Sequence, residues 1–322
     1  MKILFADKFP EHALDRLRGL GHGFDYKPEL TAGDLPACIA GYEVLVVRST
    51  RVESPVIDAA DALKLIVRAG AGTNTIDKEA AAGKDIRVCN VPGKNALAVA
   101  ELTMGLLLAI DRNIPDNVSD LRAGHWDKKK YSVARGLYGR RIGVVGLGAI
   151  GLAVAERAAA FGMQVHVVRK SGRPGDVVRR LAALEVVEED TLEDLAGSCD
   201  VLSFHVPASS DTREMVNAPL LERMAPGSII LNTARGDVID EEALIKAMDA
   251  KGIRAGVDVY RDEPAAGEAE FNSRLAKHPN TYGTHHIGAS TEQAQNAVAE
   301  GVVEIIDAFE QGRVLHCVNL AG

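Results

Sequence analysis

The chain is poor in several features whose presence would fix its class. It has only four cysteines in 322 residues, Cys38, Cys89, Cys199 and Cys317, and no two form a CxxC pair. Neither a thiolate zinc site nor a disulfide framework is implied, no metal is expected, and buried free thiols are the expectation. No stretch approaches the ~20 apolar residues of a membrane span. The apolar start of MKILFADKFPEHALDRL breaks at Asp7 and Pro10 instead of continuing as a signal peptide. The longest basic run is Lys128-Lys129-Lys130 in a chain of net charge -8, which argues against a nucleic-acid surface. Repeats and low-complexity tracts are also missing. A folded cytoplasmic protein that acts on small molecules, with no nucleic-acid or membrane partner, is expected.

What is present is a globular composition, 47% hydrophobic and 25% charged. The length points to about two domains able to enclose a cleft. Short β-rich runs alternate with helical patterns: Ile3 to Phe5 then Pro10 to Leu20, Val44 to Val47 then Pro55 to Ala60, and Leu65 to Val67 before a glycine loop. This is the rhythm of βαβ units. From Ala96 an apolar side recurs through Leu97, Ala100, Met104, Leu107 and Leu108, which predicts a helix long enough to bridge domains. A second βα series runs from Arg141 to about His286, with strands at 142–145, 164–168, 201–205, 228–231 and 254–257. An amphipathic helix then runs from Thr291 to about Glu310 and stops at Gly312.

The second series opens with a phosphate-binding pattern. An apolar strand, Arg141 to Val145, runs into Gly146, Gly148 and Gly151, spaced as GxGxxG, and a helix follows through Ala149 and Ile150. The first glycine permits the tight turn, the second lets backbone approach a pyrophosphate, and the third allows close packing, while the helix N-terminus attracts the anion. The context of strand and helix, more than the glycines, predicts a dinucleotide site. After Gln164 to Val168 an NAD-selective site would present a carboxylate, but here Arg169, Lys170 and Ser171 follow. These either bind a 2′-phosphate through charge-assisted hydrogen bonds or form a solvated basic loop, so NAD(H) and NADP(H) both stay open as cofactors.

Three polar residues interrupt apolar segments at the ends of later strands: Arg235 in NTARGDVID, Glu263 in GVDVYRDEP and His286 in THHIGAST. Ligands gather at strand ends of α/β sheets. A planar guanidinium can hold a 2-keto carboxylate bidentately and polarise the neighbouring carbonyl. An imidazole can pass a proton to the ketone oxygen, and an adjacent carboxylate orients it and favours its charged form. With these segments the chain resembles the D-2-hydroxyacid dehydrogenase family over essentially its whole length.

The resemblance implies two doubly wound, Rossmann-like parallel-sheet α/β domains with a cleft between them. The substrate domain would be residues 1–96 plus 290–322, and the dinucleotide domain 97–289. It implies Arg235, Glu263 and His286 as catalytic residues, and Asp258 as the partner of the nicotinamide carboxamide. Ala149, Ile150, Lys170, Val206, Thr233 and Gly288 would complete the cofactor contacts. RAGAG, ending at Gly72, is similar to the family's carboxylate loop, with the N–H groups of Ala71 and Gly72 on the substrate acid. VPGKNALAVAEL is similar to its interdomain hinge. VRSTR, GHWDKKK and the closing Cys317-Val-Asn319 resemble the phosphoglycerate dehydrogenase branch, with Arg48 and Arg51 on a substrate phosphate.

A homodimer is expected on the same ground. The first substrate expectation is 3-phosphoglycerate, with hydroxypyruvate or glyoxylate reduction second and a nicotinamide-sensing binding protein as the alternative from another class. The chain stops soon after Asn319, so no carboxy-terminal regulatory domain and no serine inhibition through one are expected. Two features depart from the family: His285 stands where proline is usual, and the carboxylate after the second strand is replaced by Arg169.

Overall fold

The computed structural model describes residues 1–264 and 268–320. The chain forms two compact units, Met1–Asn95 with Ser290–Gly322 and Ala96–Ala289. Each is an α/β unit on a wholly parallel sheet.

The first unit alternates β1 (Lys2–Phe5), α1 (Glu11–Gly19), β2 (Gly23–Tyr26), α2 (Leu35–Cys38), β3 (Val44–Val47), α3 (Ser54–Ala59), β4 (Leu65–Arg68), α4 (Lys78–Gly83) and β5 (Arg87–Asn90). Its sheet order is β2-β1-β3-β4-β5. Successive side chains of a strand point to opposite faces, and both faces here are covered. Ile3, Phe5, Val44, Val46, Leu65 and Val67 join one core with residues of α1 and of the final helix, Glu292–Glu310. Leu4, Leu45, Val47, Ile66 and Val88 join the other with residues of α2 and α3. Double-sided burial is why these strands read as continuous apolar runs. Thr291 caps the final helix by accepting from the Ala294 N–H at 3.2 Å.

The second unit begins with α5 (Ala96–Arg112) and α6 (Ile114–Arg122), then runs β6 (Arg141–Val145), α7 (Ala149–Ala160), β7 (Gln164–Val168), α8 (Gly175–Ala183), β8 (Val187–Glu189), α9 (Leu192–Ser198) and β9 (Val201–Phe204). It continues through α10 (Ala218–Arg223), β10 (Ile229–Asn232), a 3-10 turn Gly236–Val238, α11 (Glu241–Lys251), β11 (Arg254–Val257) and β12 (Thr281–Gly283). The order β12-β11-β10-β9-β6-β7-β8 reverses between β6 and β9. Such reversals open the crevice where α/β sheets take ligands. Helix α5 packs inside this unit, with Leu106, Leu107 and Ile110 in the core shared with β6 and β7. Among the described residues no helix is long and apolar enough to cross a membrane, and no acidic, histidine or cysteine group is arranged to hold a metal.

Candidate active site

The glycine turn after β6 lies at the reversal point. Gly146 has φ +94°, a left-handed conformation that favours glycine. A Cβ there would collide with the His205 carbonyl after β9, and it would also lie 2.9 Å from Val206 Cγ1. A Cβ on Gly151 would run into the Gly146 carbonyl oxygen, so the start of α7 seats directly on the turn. Gly148 differs, since a Cβ there would meet no atom within 4 Å. It caps α7 with no side-chain hydrogen bond, leaving the N-terminal dipole of a 12-residue helix facing open space.

His205, whose carbonyl touches the turn, supplies no cation to it. Burial pushes the His205 imidazole down to about 3, so it stays neutral, with Nε2 at 2.8 Å from Ser203 Oγ. The residues therefore fit a dinucleotide pyrophosphate held by backbone dipoles. Sequence reading missed His205, because an apolar strand ending in a histidine carries no distinctive signal.

Arg169, at the end of β7, does not stand alone. Its guanidinium bonds Asp190, and its Nε lies 3.4 Å from Glu188 Oε2. Arg173, nearly buried, pairs with the same Glu188 at 2.5 Å and also bonds the Val168 carbonyl. Two acids at the end of β8 thus counter the basic loop, which the sequence leaves open as a 2′-phosphate site or a solvated loop. Lys170 is exposed beside them.

The three candidate catalytic residues all belong to the second unit. Arg235 follows β10 and precedes the 3-10 turn. Asn232 shapes this corner, its Oδ1 accepting from the Ala234 N–H at 3.0 Å and its Nδ2 donating to the Arg235 carbonyl at 2.8 Å. Gly236 comes next, and a Cβ there would overlap the Tyr260 carbonyl and the Arg261 nitrogen. The Arg235 turn therefore lies against the backbone leading to Glu263.

His286 Nδ1 is 2.8 Å from Glu263 Oε1. Burial raises the Glu263 carboxyl, but the hydrogen bond and charge of His286, a backbone N–H of Tyr260 and the charge of Arg235 outweigh it. Together they hold Glu263 below the ordinary carboxylate range. Both side chains of the pair stay accessible, at 49% for His286 and 37% for Glu263, so the pair can meet a ligand. His285 is exposed and makes no hydrogen bond or ion pair among the described residues.

His286 has φ +52°, which a β-carbon disfavours. Asp258 holds this conformation. It is 1% exposed, its Oδ1 accepts from Thr284 Oγ1 at 2.6 Å and from the Ile287 N–H at 2.8 Å, and its Oδ2 accepts from the Gly288 N–H at 2.8 Å. One buried carboxylate thus ties down the chain on both sides of His286. A Cβ on Gly288 would stand 3.0 Å from Asp258 Oδ2, so that glycine also serves the close approach. Thr233 is buried, and its hydroxyl lies 2.8 Å from that of Thr103 on α5. Thr103 donates onward to the Val99 carbonyl, which leaves Thr233 as the donor between the two hydroxyls.

Arg48, Arg51, Ala71 and Gly72 belong to the first unit, whose sheet order reverses between β1 and β3. There Asp7 Oδ2 accepts from the N–H groups of Arg48 at 2.6 Å, Ser49 at 3.1 Å and Thr50 at 3.1 Å. The Arg51 guanidinium lies 3.5 Å from Glu53. Ala71 and Gly72 follow Gly70, which has φ +139°, and Asn90 Nδ2 donates to the Ala71 carbonyl at 2.5 Å. Asp7 and Asn90 escape sequence reading because each is a single polar residue at a strand end.

Residues 104–288 match the model of the D-isomer specific 2-hydroxyacid dehydrogenase, NAD binding domain. The chain is 40% identical to a D-3-phosphoglycerate dehydrogenase of Methanocaldococcus jannaschii over 98% of its own length, and it spans 58% of that relative. It is also 40% identical to a hydroxypyruvate reductase of Thermotoga maritima, over 86% of this chain and 88% of the other. The crystal structure of an NADPH-dependent glyoxylate/hydroxypyruvate reductase from Sinorhizobium meliloti, in complex with NADP and malonate, superposes with a TM-score of 0.81 at 29% identity, covering 98% of this chain and 96% of that one. With its glycine turn and its Arg-Glu-His group so placed, and with this extent of similarity, the chain belongs to the D-isomer-specific 2-hydroxyacid dehydrogenase family.

Proposed function

We propose that the chain interconverts a small, unphosphorylated 2-keto acid of the hydroxypyruvate or glyoxylate kind with its D-2-hydroxy acid. The observation that carries this reading is the exposed His286–Glu263 pair at 2.8 Å, with Arg235 near enough for its charge to act on Glu263. Nicotinamide, when bound, supplies or takes up the hydride at C2. His286 Nδ1 is engaged by Glu263, so Nε2 is the atom that donates a proton to the ketone oxygen, or removes it in oxidation. Glu263 orients the imidazole through its hydrogen bond, and Arg235 holds the substrate carboxylate and polarises the carbonyl. In the first unit, Ala71 and Gly72 have backbone N–H groups of the kind that suit a carboxylate. Asp258 fixes the His286 turn and keeps a lone pair for a carboxamide N–H.

The unphosphorylated substrate is favoured by the first unit. The backbone donors of Arg48, Ser49 and Thr50 already serve Asp7, whose negative charge opposes a phosphate, and Arg51 faces Glu53. The Thermotoga and Sinorhizobium relatives support the same choice. A second reading, oxidation of 3-phosphoglycerate, draws on the Methanocaldococcus relative. For the cofactor we infer use of both NAD(H) and NADP(H), because Arg169 shares its charge with Asp190 and Glu188. The exposed Ile114, Val118 and Leu121 of α6, with Trp126 beyond it, support a homodimer as the working form.

Steady-state kinetics with hydroxypyruvate, glyoxylate and 3-phosphohydroxypyruvate, each with NADH and NADPH, test this reading. We expect kcat/KM for one of the unphosphorylated acids to exceed that for the phosphorylated one by ~10-fold or more. The reverse ratio would establish the phosphoglycerate reading, and no turnover of any 2-keto acid would leave the fold as a nicotinamide sensor.

A further inference from the structure

Strand β5 forms one edge of the five-stranded sheet, and the segment after the final helix lies along it. The Asn90 N–H donates to the His316 carbonyl at 3.2 Å and the Val318 N–H to the Val88 carbonyl at 2.9 Å. Asn319 closes the pairing, its Oδ1 accepting from the Val88 N–H and its Nδ2 donating to the Ile86 carbonyl, both at 2.8 Å. Cys89 and Cys317 are thereby opposed across an antiparallel bridge.

The position of the two backbone bonds decides the geometry. They flank the cysteine pair and do not join it, which defines the close, non-hydrogen-bonded site of an antiparallel ladder. Opposed Cα atoms there stand about 4.5 Å apart with their side chains on one face. That spacing falls inside the ~4.4–6.8 Å window of a disulfide. Both thiols are free, Cys89 buried and Cys317 partly exposed. Burial, then the adjoining Cys317 thiol, pushes the Cys89 thiol up to about 12, so Cys317 is the sulfur that meets an oxidant first.

We propose that Cys89 and Cys317 are an oxidative modification site, a dithiol that a peroxide closes into a cross-strand disulfide. One peroxide oxidises the Cys317 thiol to a sulfenic acid and leaves as water. The Cys89 sulfur then attacks the sulfenic sulfur, its proton leaving with the displaced oxygen as a second water. Two thiols lose two electrons to one peroxide, and a dithiol reductant reverses the change by exchange. The high barrier to ionising Cys89 slows the second step, and the enforced proximity of the sulfurs offsets it.

The site reaches the proposed substrate loop. Asn90, next to Cys89, holds the Ala71 carbonyl at 2.5 Å, and the Val91 N–H holds that of Gly70 at 2.9 Å. The disulfide ties this strand covalently to the 316–319 segment.

The test is mass spectrometry of the intact, folded protein, followed by peptide mapping without reduction, after brief treatment with hydrogen peroxide. We expect loss of two hydrogens, one cross-linked species joining the Cys89 and Cys317 peptides, Cys38 and Cys199 still as thiols, and recovery with dithiothreitol. In Cys89→Ser the same treatment should leave Cys317 as an oxygen adduct with no internal cross-link. Peroxide adducts on wild-type Cys317 without a cross-link, links to Cys38 or Cys199, or four unmodified thiols would each overturn the proposal.

Discussion

The two sheets share a topological device and use it in opposite ways. In the second unit, order reverses between β6 and β9, and the strand ends carry Gly146, Gly148 and an uncapped helix start, so backbone dipoles face open space. In the first unit, order reverses between β1 and β3, and the backbone donors there are taken by the carboxylate of Asp7. A reversal opens a crevice in both. Whether that crevice invites an anion is decided by a single residue, a glycine with no side chain in one case and an aspartate in the other. Topology locates the sites, and local chemistry separates them.

The largest effects should come from the end of the second unit that is proposed to handle the proton. His286→Ala should lower kcat by ~10²–10⁴-fold, with the Kd for NADH nearly unchanged, while His285→Ala stays near wild type. Loss of activity in the His285 variant alone would move the assignment by one residue. Arg235→Lys should cost at least ~100-fold in kcat/KM, because the charge survives and the planar grip does not. A loss below about threefold would remove Arg235 from the substrate.

The glycines sharpen the same comparison. Gly148→Ala meets no neighbouring atom, so thermal stability should hold while the Kd for NADH weakens by ~10-fold through contact with the pyrophosphate. Gly151→Ala presses on the Gly146 carbonyl and should lower both stability and binding. Equal behaviour of the two variants in melting and titration would contradict the distinction between them.

Smaller shifts are expected where charges are exposed. Asp7→Asn keeps an acceptor for the three N–H groups and removes the charge, so kcat/KM for 3-phosphohydroxypyruvate relative to hydroxypyruvate should rise by ~3–10-fold. An unchanged ratio would place the substrate's far end elsewhere. At the cofactor, Asp190→Asn releases Arg169 from one partner and should raise the NADPH to NADH ratio of kcat/KM by ~2–5-fold, in keeping with an exposed pair. Arg169→Asp should move it the other way, and fluorescence titration of each cofactor without substrate checks both.

Much of this was legible in the sequence, and the gaps have a common cause. Strands buried on both faces, such as Val44 to Val47 and Val201 to Phe204, announce themselves as apolar runs. The strands that no run announced, β2, β5, β8 and β12, are the four edges of the two sheets. Gly23-Phe-Asp-Tyr26 is largely exposed and Val187-Glu-Glu189 is mostly charged, as edges tend to be. At the site, residue types and spacing pointed to Arg235, Glu263 and His286. The partners that hold or counter the site, Asp7, Asn90, Asp190 and the triple bonding of Asp258, arise from chain segments distant in sequence. Arg169 shows the consequence: its sequence neighbours are basic, while its spatial neighbours are Glu188 and Asp190.

The proposed role of the Glu263–His286 pair in proton transfer is decided by ketone reduction measured across pH with wild type and Glu263→Gln. Hydrogen bonding and charge from His286 keep Glu263 ionised to below the usual carboxylate range. Its negative charge therefore stays beside the imidazole throughout the neutral region and orients the ring that passes the proton. Removing that charge should lower kcat at neutral pH by ~10-fold or more, with a nearly unchanged Kd for NADH, and should abolish the loss of kcat that protonation of Glu263 gives the wild type at acid pH. A Glu263→Gln variant as active as the wild type at neutral pH would contradict this role for the pair.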